Sequence, residues 1–227
     1  MIPLKDDNPT RTFPFVNWAL LLINVAVFLY QVQLPARAAK AFVLHNATIP
    51  QRIPAFLAGH LGFQMAFYPL FTSMFLHGGW MHLLGNMLFL YIFGDNVEDY
   101  FGHVGYLIFY LFCGVGSGCI HVLFNWHSSL PAIGASGAIS GVMGAYLVLY
   151  PRAKVLVWFI IFLIPIPAVF VLGYWFVLQF LEGIGSFGAA NSAGGVAVWA
   201  HIGGFLLGMM VTGAIRSLGR ASVAYGR

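Results

Sequence analysis

Apolar residues run along this chain in six blocks, parted by short breaks that are polar or marked by proline. Phe15 to Tyr30 is the first block. Leu83 to Phe93 follows on from the polar-edged stretch His77 to His82, Val104 to Trp126 is the third, and Ser136 to Tyr150 is the fourth, stopped by Pro151. Val155 to Leu181 is longer than one span and is interrupted by Pro165 and Pro167, so the fifth block reads as a membrane-associated lead-in with a helix from about residue 168. Ala197 to Ile215 is the sixth. About twenty apolar residues cross a bilayer as a helix, so the pattern predicts an all-α membrane protein with six transmembrane helices.

The breaks carry their own signals. Residues 31–79 mix Pro35, Pro50 and Pro54 with Phe56, Phe63, Phe67 and Phe71, too apolar for a solvated loop, which predicts short amphipathic helices at the membrane interface. Gly94 to Asp99 reads as a short turn holding half of the carboxylates, and residues 183–196 as a flexible loop rich in Gly, Ser and Ala. The domain division is a polar segment at 1–14, a helical body at 15–215 and a tail at 216–227. A cleaved signal peptide is the competing reading of the first block. It is disfavoured because no net positive charge precedes that block and Arg37 and Lys40 crowd the only small-residue tract after it.

Composition agrees with the pattern. Of 227 residues, 60% are hydrophobic and 7% charged, far below the quarter or so that covers a soluble domain. The net charge of +4 comes from scattered Lys and Arg, without the basic cluster that nucleic acid needs. With the N-terminus inside, Lys5, Arg11, Arg152, Lys154, Arg216, Arg220 and Arg227 are cytoplasmic and only Arg37, Lys40 and Arg52 are outside, which predicts cytoplasmic N- and C-termini. The two cysteines, Cys113 and Cys119, are rotated by about 240° on one helix and are expected to be buried small hydrophobes, not a disulfide.

That topology starts the second, fourth and sixth spans on the same outer face. His82 and Asn86 open the second, Ser136 the fourth and His201 the sixth, so three helices bring polar groups to one depth. Such groups are costly in a bilayer and by default mark a functional site. The fourth span carries Gly137, Gly141 and Gly144, and the sixth carries Gly204 and Gly208, small-residue faces that permit close backbone approach. If these faces meet, Ser136 comes within hydrogen-bond reach of His201, an activated nucleophile with its base. No carboxylate is placed to orient the imidazole, so packing is expected to hold it. His82 and Asn86, at i and i+4, could donate to an oxyanion together with the Ser136 backbone N–H.

Gly134-x-Ser136-Gly137, Ala200-His201-x-x-Gly204-x-x-x-Gly208 and His82-x-x-x-Asn86, in this order on these spans, resemble the rhomboid intramembrane serine proteases. The resemblance covers nearly the whole chain, the bulky first loop and Gly94-x-x-x-Glu98 included. It implies cofactor-free, metal-free endopeptidase activity on transmembrane protein substrates near the outer membrane face. Ser136 would be the nucleophile, His201 the base, and His82, Asn86 and the Ser136 amide the oxyanion hole, toward which the tight turn at Gly134 leaves backbone N–H groups open. It further implies that residues 183–196 form a mobile cap and the fifth span a lateral gate. Two departures stand out: Ser140 replaces the aromatic that some relatives place four residues after the nucleophile, and the Trp-Arg pair of their first loop is missing. The expected compartment is a bacterial inner membrane, from the compact chain, the N-in bias and the lack of a transit peptide.

Alternatives remain at this stage. His82 and Asn86 could be interhelical hydrogen-bond glue, and the whole chain a catalytically dead relative that binds membrane clients. A solute channel with a histidine relay is a third reading, opposed by the confinement of the polar groups to one face.

Overall fold

The computed structural model describes residues 2–186 and 198–225. The six predicted blocks are helices: α1 (Phe15–Gln33), α5 (Trp80–Phe101), α6 (His103–Phe124), α7 (Ser136–Leu149), α8 (Ala168–Ser186) and α9 (Val198–Tyr225). Of these, α1, α6, α8 and α9 are long and apolar enough to cross a membrane. Helix α7 is apolar but has only 14 residues, and α5 carries Asp95, Glu98 and Asp99 in its last two turns. Between α1 and α5 lie the short helices α2 (Ala36–Asn46), α3 (Arg52–Leu57) and α4 (Phe63–Thr72), as the proline-broken amphipathic stretch predicts.

Three expectations are corrected. Gly94 to Asp99 is not a turn, because α5 runs on to Phe101 and turns only at Gly102, whose φ of 71° suits a residue without Cβ. Gly94 lies within that helix because a Cβ there would sit 2.0 Å from Asn17 Oδ1, where Asn17 meets the Tyr106 hydroxyl. The lead-in to the fifth span is not helical. It forms strands β2 (Lys154–Phe159) and β3 (Phe162–Pro167), and the N-terminal segment supplies β1 (Ile2–Asp6). Pro165 and Pro167 bar a helix but are tolerated on β3, the edge strand of an antiparallel β1-β2-β3 sheet. Finally, α8 continues through residues 183–186; the rest of the expected flexible loop lies outside the described residues.

One buried carboxylate organises the end of the bundle opposite the site. Helix α1 starts at Pro14 without a side-chain cap, leaving its first N–H groups unpaired within the helix. Glu98 reaches across from α5 to accept from Val16 N at 2.9 Å and Asn17 N at 2.7 Å, and meets His103 Nδ1 at 2.5 Å. Negative charge at a helix N-terminus is stabilising, so this single side chain joins α1, α5 and α6. Nearby, the Tyr146 hydroxyl donates to Asp6 and Lys154 N donates to Asp7, tying β1 to the base of α7 and to β2.

Helix α7 is the central post, buried continuously from Gly137 to Tyr146. Its contact with α9 is backbone on backbone. A Cβ on Gly204 would lie 2.1 Å from the Gly137 carbonyl oxygen, one on Gly208 1.9 Å from that of Gly141, and one on Gly144 2.1 Å from that of Phe205. The expected small-residue seam is therefore real, with one amendment: the Cβ direction of Gly137 points at Ser117 Oγ on α6, 2.1 Å away, so this glycine admits α6 as well as α9. Cys113 packs into the core, but Cys119, six positions on, is exposed on the outside of α6; both are free thiols.

Candidate active site

Ser136 is the first residue of α7 and His201 lies in the first turn of α9, so the glycine seam that joins the two helices also sets their distance. His201 Nε2 is 2.7 Å from Ser136 Oγ. The other ring nitrogen, Nδ1, is 2.5 Å from Oε1 of Gln179 on α8. Trp175, one turn earlier on α8, lies over the imidazole with ring centroids 6.0 Å apart and a tilt of 38°. Ser140, a departure from the resemblance at this position, donates to the Ser136 carbonyl at 2.6 Å. The imidazole is thus held by Gln179 and Trp175 of α8 on one side and meets Ser136 of α7 on the other. Packing alone is the expectation; a hydrogen bond to the Gln179 amide oxygen is the correction.

His82 and Asn86 enter from the first two turns of α5. Gly78 N donates to His82 Nδ1 at 3.3 Å. The neutral ring then carries its proton on Nε2. That nitrogen stands 2.8 Å from where a Cβ on Gly134 would be. Gly134, with φ 129°, takes a backbone conformation that side chains rarely allow, and its N–H donates to the Ser73 carbonyl at 2.9 Å. The turn before Ser136 is therefore both shaped by glycine and braced from the first loop. Asn86 Nδ2 is buried with no partner among the described residues. His82, Asn86 and Ser136 line one cavity, and the Asn86 amide N–H is unused.

A cavity of about 480 Å³ lies over these groups, lined by Met81, His82, Asn86, Ser136, Trp175 and His201 among others. Ala132, on the cavity wall, is tied to the first loop. Thr48 and Ala132 exchange backbone hydrogen bonds at 3.1 and 2.8 Å, and the Thr48 hydroxyl reaches Pro69 O and Ser73 Oγ. Arg52 braces the loop internally by donating to the carbonyls of Leu44 and Ala47. His77, in the segment just before α5, is buried against Phe28 and the His82 ring, and burial holds its pKa down at about 4, so it is a neutral spacer.

Comparison with known proteins decides the family. The family model described as Rhomboid domain matches residues 64–217, the stretch that holds the serine, both histidines and the glycine seam. The chain belongs to the rhomboid family. It is similar to mitochondrial Rhomboid protein 1 of Saccharomyces cerevisiae, at 29% identity over 85% of this chain and 51% of that protein. It is also similar to chloroplastic Rhomboid-like protein 11 of Arabidopsis thaliana, at 32% identity over 61% of this chain and 43% of that protein. Mitochondrial RHOMBOID-like protein 6 of the same plant is 35% identical over 61% of this chain and 40% of its own length. The chain spans about half, or less, of these curated relatives. Membership and four apolar spans make it a membrane protein. The compartments in the relatives' names are organellar and lend no support to a bacterial inner membrane.

Within this rhomboid chain the sequence reading missed two residues, Trp175 and Gln179. Their signal was available: a lone amide at Gln179 amid Val177, Leu178, Phe180 and Leu181 is a polar group in a lipid-facing helix, the criterion that had picked out Ser136 and His201.

Proposed function

We propose that the chain is an intramembrane serine endopeptidase that cuts transmembrane proteins near the outer membrane face through Ser136 and His201. The observation that carries this reading is the 2.7 Å contact between His201 Nε2 and Ser136 Oγ beside a cavity lined by His82 and Asn86. In the proposed reaction His201 Nε2 takes the hydroxyl proton as Ser136 Oγ bonds to the scissile carbonyl carbon. His82 Nε2–H, Asn86 Nδ2–H and the Ser136 backbone N–H stabilise the oxyanion, with Gly134 keeping His82 close. Collapse breaks the C–N bond, His201 returns the proton to the leaving amine, and an acyl ester on Ser136 remains. Water, deprotonated by the same imidazole, then releases the carboxylic acid product.

In this proposal α1, α5, α6, α7, α8 and α9 are the six transmembrane helices, α7 the shortest of them, with both termini and the β1-β2-β3 sheet on the cytoplasmic side. Residues 15–215 form the protease body, flanked by the short segments 1–14 and 216–227. Substrate helices unwind locally before cleavage, since a peptide bond locked in helical hydrogen bonds cannot reach a nucleophile.

The test is cleavage of a single-span substrate by purified protein in liposomes. Ser136→Ala and His201→Ala each reduce cleavage by about 10³-fold or more, and a fluorophosphonate labels the wild type but not Ser136→Ala. Cleavage that survives either substitution overturns the mechanism.

A further inference from the structure

Gln179 is the only polar side chain between Tyr174 and Glu182 on α8, and its neighbours Val177, Leu178, Phe180 and Leu181 are all exposed on the outside of the bundle. An amide in such a helix needs a partner, because the surrounding lipid offers none. The partner it has is the base. Its Oε1 lies 2.5 Å from His201 Nδ1, while Nε2 of the same ring lies 2.7 Å from Ser136 Oγ.

A neutral imidazole has one proton for two nitrogens, and the two contacts decide where it sits. With the Gln179 carbonyl accepting, the proton stays on Nδ1, and the lone pair of Nε2 faces the serine hydroxyl. With the amide NH₂ turned in, Nδ1 would be the acceptor, Nε2 would carry the proton, and the serine would face a donor unable to deprotonate it. A carboxylate in this place would have to be buried as an ion among apolar helices. The amide performs the orienting task without that cost.

We infer that Gln179 is a positioning residue that fixes His201 in the base-competent tautomer, so the working unit is a Ser136–His201–Gln179 row whose third member is uncharged. This rests on the protease reading above. It also gives α8 a part in the chemistry, since the same helix supplies the Trp175 ring that lies over the imidazole.

The test compares Gln179→Leu, Gln179→Met and Gln179→Glu in full-length protein, with kcat and KM measured on one single-span substrate. The apolar variants lower kcat by about 10- to 100-fold with KM within about twofold, while Gln179→Glu, which keeps an acceptor and has no amide N–H, stays within about threefold of wild type. Nitrogen-15 NMR of histidine-labelled wild type, with His201 assigned by the loss of its signals in His201→Ala, shows Nδ1 protonated and Nε2 bare at pH 8. That second measurement stands even if an apolar variant does not fold. Unchanged kcat in Gln179→Leu, loss of kcat in Gln179→Glu equal to that in Gln179→Leu, or a proton on Nε2 overturns the inference. Each of these outcomes leaves the protease reading intact if wild type cleaves and Ser136→Ala does not; failure of wild type to cleave overturns that reading instead.

Discussion

The two helices that meet at His201 are built on opposite plans. Helix α9 lies against α7 with glycine on backbone carbonyl at Gly204 and Gly208, and half of its most apolar window is buried. Helix α8 presents Trp175 and Gln179 inward, yet only 22% of its window is buried. The first contact fixes the distance between Ser136 and His201 and admits no side chain larger than hydrogen. The second holds the ring by one hydrogen bond and one aromatic face and leaves the outer side of the helix, Val177, Leu178, Phe180 and Leu181, exposed. Distance and orientation of one imidazole are thus assigned to two surfaces of very different tolerance.

The sharpest way to break this contrast is Gly208→Val. The added atoms fall within 1.9 Å of the Gly141 carbonyl oxygen, so the helices must separate or the fold must give. Cleavage is expected to vanish and the thermal midpoint to fall, consistent with overpacking of about 3 kcal/mol or more. A stable, active variant would show that the seam has slack. Trp175→Ala tests the other surface. It removes the ring over His201 and Phe205 but leaves Gln179 and the seam in place. About a tenfold loss of kcat, with stability reduced by about 1–3 kcal/mol, is the expected result in cleavage assays and thermal melts. The smallest effect should come from Leu178→Ala, one residue from Gln179 but on the exposed side. Its stability is expected to stay within about 0.5 kcal/mol of wild type and its activity within about twofold. A large effect there would mean that the outer face of α8 packs against protein and not against lipid.

The difference between these helices also marks what could be read from the sequence. The seam was legible because small residues at a spacing of four leave a periodic trace, and Ser136, His201, His82 and Asn86 were legible because polar groups are rare in apolar blocks. Gln179 leaves the same trace but lay in the block whose ends were least certain, so its depth could not be matched to that of His201. The β2-β3 hairpin was hidden for a different reason. Its Val, Ile, Phe and Trp residues suit a strand and a membrane helix equally, and only pairing with β1, some 150 residues away in the chain, selects the strand. Gly94 to Asp99 misled because carboxylates usually end a span, whereas here Glu98 is buried as the cap of another helix.

The short length of α7 has a mechanical consequence. Fourteen helical residues make a pillar about 21 Å tall, against a hydrocarbon core of about 30 Å. Tyr150, Pro151 and Arg152 mark its foot, so Ser136 stands on a pedestal whose height is set by covalent chain and not by the surrounding lipid. The cavity lined by Ser136, His82, Asn86 and His201 lies at the upper end of this pillar. On the proposed function, hydrolysis then needs no channel across the membrane, only a short helix.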